Sequence, residues 1–173
     1  LKTLNPDFML LQELDTYATR SHHVNEREMA EKAFPEMSAA FAVNYHSAYL
    51  FYPFLEPHGA SDAGILTLAD CEIESAIRRS LPVETGLTKF LDLDRCYSVS
   101  RIPVSNGKTL CLYNLHLSAY TSDGTIANDQ LEMLIADMQA EYEAGNYVVG
   151  GGDFNKDLLG DSAAIFGVSG ENY

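Results

Sequence analysis

The chain has 173 residues, 46% of them hydrophobic and 21% charged, which fits one folded domain rather than a disordered, collagenous or coiled-coil segment. Eleven basic against 25 acidic residues leave a formal charge of −14. That charge disfavours strong nonspecific DNA binding and suits divalent cations. No apolar run approaches the roughly 18 residues of a spanning helix, and the longest, 48–55, is broken by Pro53. Cys71, Cys96 and Cys111 have no C-x-x-C spacing, which argues against a disulfide framework or a structural zinc site. The chain opens on Leu1 and shows no targeting signal, so the sequence leaves the compartment open.

In chain order, Phe8 to Gln12 reads as a short buried strand behind the turn signal Asn5-Pro6-Asp7, ending at Gln12-Glu13. Asn25 with Glu28 has the spacing of a capping box, and Met29, Ala33, Phe34 and Met37 follow at helical spacing. Val43 to Phe54 is aromatic and β-prone, with Tyr45, Tyr49, Phe51, Tyr52 and Phe54 expected to pack in the core. Gly64 to Leu68 and Cys71 to Ile77 read as two further strands. Arg78-Arg79 reads as a solvated face. Tyr97 to Val104 and Thr109 to Leu117 flank Asn106-Gly107, a strong hairpin signal. Asp129 with Glu132 predicts a helix cap, Leu131, Leu134, Ile135, Met138 and Tyr142 one face, and Gly145 the stop. Tyr147 to Val149 is a strand running into Gly150-Gly151-Gly152-Asp153-Phe154-Asn155, after which the pattern weakens to loop. Strands outnumber helices and pair locally, which predicts an α/β domain with a largely antiparallel or mixed sheet arrangement.

Three polar signals stand at strand ends, where a chain normally places apolar residues. Gln12-Glu13-Leu14-Asp15 brings carboxylates out of a buried strand, costly unless they are solvated, paired or metal-bound. Asn114 and His116 share strand parity with Leu110 and Leu112 and so lie on one sheet face. Asp153 and Asn155 share parity, Phe154 points to the core, and the preceding glycines leave the backbone open to a ligand or metal. Each signal alone has a plainer explanation: a rim carboxylate, a satisfied core histidine, an ordinary turn. Together they are more specific. Glu13 and Asp153 offer oxygen ligands to a hard cation such as Mg²⁺, and His116 and Asn155 offer hydrogen bonds to a phosphoryl group.

At this point the sequence resembles the endonuclease/exonuclease/phosphatase (DNase I-like) superfamily. The likeness rests on Pro6-Asp7-Phe8-Met9-Leu10-Leu11-Gln12-Glu13, Asp62-Ala63-Gly64-Ile65-Leu66, Asn114-Leu115-His116-Leu117 and Gly151-Gly152-Asp153-Phe154-Asn155, in family order. The resemblance implies a four-layer α/β sandwich with two packed mixed sheets. It implies Glu13 as ligand of a catalytic Mg²⁺, with Mn²⁺ as the alternative, and Asp153 as a second metal contact. His116 would touch the scissile phosphate, and Asp153 and Asn155 would orient nucleophile, phosphate or metal. Arg95 resembles a family position that meets phosphate, though an exposed strand-edge arginine is its plainer explanation; Asp15 and Tyr17 would be supporting partners.

The family also carries an asparagine on a strand before Gln-Glu and an Asp-His pair near its end, and neither occurs in this sequence. His22, His23, His46 and His58 lie in the wrong part of the chain to replace that histidine. The resemblance therefore implies that residues 1–173 are the central portion of such a domain, incomplete at both ends and inactive or nearly so by themselves. The expected function is hydrolysis of a phosphodiester or phosphomonoester, on a small molecule, a lipid headgroup or a nucleic acid. The alternative is a non-catalytic phosphate- or protein-binding module of the same fold.

Overall fold

A computed structural model of the chain describes residues 2–50, 59–83, 94–118, 125–155 and 160–167. Strands β1 (Phe8–Ala18), β2 (Ser38–Leu50) and β3 (Gly59–Ala69) form an antiparallel sheet in the order β1-β3-β2. Strands β4 (Ser75–Ser80), β5 (Cys96–Pro103), β6 (Thr109–His116) and β7 (Tyr147–Asp153) form a second sheet in that order. Its pairs are antiparallel except β6 with β7, which run parallel. Helix α1 (Glu26–Ala33) covers the first sheet, α2 (Thr125–Glu143) covers the second, and a short α3 (Ser162–Phe166) follows β7. Among the described residues the second sheet is mixed and the first is wholly antiparallel.

The layering follows from strand alternation. Met9, Leu11, Leu66 and Leu68 pack outward against Ala30, Ala33 and Phe34 at α1. Their neighbours Leu10 and Ala69 turn inward and meet Ile102, Leu110 and Leu112 of the second sheet. Beyond that interface Tyr97, Val99, Cys111, Tyr113 and Leu115 face Leu131, Leu134 and Met138 of α2. The four layers are thus helix, sheet, sheet and helix. Burial pushes the thiol of Cys96 up to about 11, and the cysteines of the described residues are free.

Several elements differ from expectation for identifiable reasons. The first strand does not end at Gln12-Glu13 but continues to Ala18, because an extra residue there is absorbed as a bulge. Asn25 caps α1 as read, accepting from the Glu28 N–H at 3.0 Å, but Met29 is largely exposed and Met37 lies beyond the helix end. Cys71 sits before the fourth strand, which begins at Ser75. Helix α2 begins at Thr125 rather than beside Asp129, and it buries Ala127, Gln130 and Leu134 while Ile135 and Tyr142 face solvent. Arg78 is more than a solvated face: its Nε donates to the Val43 carbonyl at 2.8 Å, joining the two sheets at one edge. Of the aromatic run, Phe51, Tyr52 and Phe54 lie outside the described residues.

Both edge strands of the first sheet bulge opposite the same point of β3. Leu11 and Leu14 pair with Leu66 and Gly64 across one bulge, and Val43 and Tyr45 with Gly64 and Ala63 across the other. The bulged Asn44 turns inward and accepts from the Cys96 N–H at 2.9 Å. Gly64 itself has no room for a Cβ, which would collide with the Phe41 ring and the Ala42 carbonyl. Gly64→Ala should therefore lower stability by about 1–3 kcal/mol through forced backbone displacement, measurable as a shift of the urea midpoint at unchanged slope.

Candidate active site

The site forms where the ends of three strands meet. In a regular strand Gln12 and Glu13 would point to opposite faces. The bulge removes that alternation, and both residues address the inner face of β6: the Gln12 Nε2 donates to Asn114 Oδ1 at 2.8 Å, and Glu13 Oε1 lies 3.9 Å from His116 Nε2. Asn114 also donates to Thr67 Oγ1 at 3.3 Å and the Leu11 carbonyl at 3.4 Å, so its buried amide ties β6 to β1 and β3. Glu13 adopts φ +58°, in the left-handed region that non-glycine residues avoid. Local strain of this kind persists only where surrounding contacts enforce it.

Asp153 arrives from the parallel pair β6–β7, whose register sets it beside His116. Its Oδ2 lies 3.8 Å from His116 Nε2, and its Oδ1 accepts from the Asn155 N–H at 2.8 Å. The Asn155 side chain donates to the Leu117 carbonyl at 2.8 Å, closing the turn after β7. The preceding glycines are required by packing. Gly152 has φ +137°, and a Cβ there would strike the Leu115 backbone; at Gly151 a Cβ would sit 3.0 Å from Leu10 Cδ1. Phe154 packs into the core against the second sheet, as its parity requires.

The structure thus brings Glu13, His116 and Asp153 together, with Asn155 attached through Asp153. His116 is buried, while both carboxylates are exposed. The separations of 3.9 Å and 3.8 Å from Nε2 exceed hydrogen-bond length, so the carboxylates face His116 across a gap without bonding it directly. Among the described residues no three His, Cys, Asp or Glu side chains are arranged to hold a metal ion alone. The donor chemistry nevertheless fits Mg²⁺, which takes one or two carboxylates and fills its remaining positions with water and substrate oxygens.

Other expected residues fall around this centre. Cys96 pairs with His116 across the sheet, so Arg95 lies beside the end of β6 that carries the site. Asp15 is buried and gripped by Arg20, whose Nε and Nη2 donate to its oxygens at 2.8–3.2 Å. Hydrogen bonding to Asp15 raises Arg20 above the usual guanidinium value. Arg20 was not legible as a site residue: no spacing rule links it to Glu13, which it reaches only because the chain turns back after β1. Tyr17 stacks on His23 at 4.5 Å and is half exposed.

The fold matches known structures. The chain superposes on the human Nocturnin catalytic domain with bound sulfate with a TM-score of 0.64 and 18% identity, over 99% of this chain and 59% of that one. The chain has the endonuclease/exonuclease/phosphatase fold. An endonuclease/exonuclease/phosphatase family protein from Leptotrichia buccalis gives a TM-score of 0.62 at 13% identity, over 95% of this chain and 61% of the other. ANGEL2, a 2′,3′-cyclic phosphatase in complex with adenosine-2′,3′-vanadate, gives 0.62 at 20% identity, over 95% and 44%. The chain therefore spans about half the length of the endonuclease/exonuclease/phosphatase folds it matches. No family model matches the sequence, and no curated protein matches it.

The left-handed backbone at Glu13 costs local stability. Glu13→Gly should stabilise the protein by about 1 kcal/mol by relieving that conformation, seen as a higher melting temperature, while removing one of the two carboxylates facing His116.

Proposed function

We propose that the protein is a Mg²⁺-dependent phosphoesterase that hydrolyses a phosphodiester or phosphomonoester. The observation that carries this reading is the convergence of Glu13 and Asp153 on buried His116, from strands more than 100 residues apart in sequence. Support comes from the fold's other occupants: one is described as a 2′,3′-cyclic phosphatase and is bound to a vanadate ester, another holds sulfate. Vanadate and sulfate share the compact oxyanion character of a phosphoryl group.

In this reading Glu13 and Asp153 would hold the cation through their carboxylates. Bound there, Mg²⁺ would neutralise charge developing on the phosphoryl oxygens. His116 presents Nε2 to the same gap and donates a hydrogen bond to a phosphoryl oxygen. Its burial fixes the ring, so little ordering is needed on binding. Asn155 fixes the Asp153 carboxylate through its backbone N–H, and its side chain would orient substrate or nucleophile. The charge of −14 favours small or headgroup phosphates over extended duplex DNA.

The test is hydrolysis of bis-p-nitrophenyl phosphate and p-nitrophenyl phosphate by the full-length protein, with and without Mg²⁺. Glu13→Gln and Asp153→Asn should each lower Mg²⁺-dependent turnover about 10³-fold or more, and the double variant should be little worse than either. Wild-type turnover in either single variant would refute the assignment. Binding of Mg²⁺ and phosphate with no turnover of any ester would instead favour a phosphate-binding module of the same fold.

A further inference from the structure

Beside the proposed metal site stands a charge pair that the reaction does not itself require. Asp15 is 2% exposed, and a carboxylate that deeply buried is tolerated only when paired and hydrogen-bonded. Arg20 supplies that pairing from its side edge, Nε to Oδ2 at 2.9 Å and Nη2 to Oδ1 at 2.8 Å. The segment is held in turn by α1, because the Asp15 N–H donates to Glu26 Oε2 at 3.0 Å. This use of two donors leaves Nη1 on the far side of the guanidinium, 3.5 Å from Glu13 Oε2.

The two oxygens of Glu13 are therefore divided: Oε2 faces Arg20 and Oε1 faces His116. Its side chain is 59% exposed. We infer that Arg20, clamped by buried Asp15, is a positioning residue that orients the Glu13 carboxylate for the cation. This rests on the metal site proposed above. A guanidinium so near a cation site would by itself oppose binding, but the Asp15 carboxylate on its other edge offsets that charge. What remains is the steric and hydrogen-bonding effect of a planar fork spanning two carboxylates, which lysine cannot reproduce.

The discriminating variant is Arg20→Lys. A lysine ammonium can pair with Asp15 and so preserve the fold, but it cannot also span to Glu13. Calorimetric titration of the full-length protein with Mg²⁺ should show binding weakened about tenfold, the effect of leaving one long side chain to be ordered on binding. The melting temperature without metal should stay near that of the wild type, and the loss of turnover should be confined to low Mg²⁺. Should Arg20→Lys not fold, the neutral double variant Asp15→Asn/Arg20→Gln removes both charges and should weaken Mg²⁺ binding in the same sense. Equal or tighter Mg²⁺ binding by a folded variant would overturn the positioning role while leaving the metal site standing. A wild-type protein that binds no Mg²⁺, or a Glu13→Gln variant that binds it equally well, would overturn the site itself and this role with it.

Discussion

One extra residue in β1 brings two consecutive polar side chains to the same neighbouring strand. A regular strand cannot present consecutive side chains to the same neighbour, yet Gln12 and Glu13 both address β6, one at Asn114 and the next at His116. The two contacts divide the labour. Gln12, Asn114 and Thr67 form a buried polar clasp that fixes the bulge, and Glu13, placed by that clasp, is left outside it. The positive φ at Glu13 is the local consequence, and the clasp together with the paired edge of β3 holds it there.

The same device appears on the opposite edge of the first sheet, where bulged Asn44 reaches the first residue of β5. Two bulges facing one short stretch of β3 crowd its centre, which accounts for glycine at position 64. Polar bonds at these two places, and apolar packing of Leu10, Ala69, Ile102 and Leu112 between them, lock the sheets face to face. The register between sheets is thereby set independently of any ligand.

A common pattern governs the two carboxylates at the gap. Glu13 turns one oxygen to Arg20 and Asp153 turns one to the Asn155 N–H, and each leaves its other oxygen toward His116. Anchoring half of a carboxylate removes much of the entropy that a ligand would otherwise have to remove. His116 is enclosed by the sheets, on a strand whose alternate residues are core.

The sequence by itself determined most of the elements and singled out the polar residues that the structure brings together at strand ends. Alternation marked the strands, Asn25 and Glu28 marked the start of α1, Asn106-Gly107 marked the hairpin, and polar residues at strand ends marked Glu13, His116 and Asp153. These signals are local, set by side-chain period and turn chemistry, so they survive without knowledge of the fold. Only the tertiary structure decided the bulge that carries β1 to Ala18, the face of α2 that is buried, and the use of the glycines before Asp153 for packing. It alone joined Arg20 and Asp15 to Glu13. Each of these depends on what another strand or helix places opposite, and sequence periodicity carries no record of the partner across a sheet.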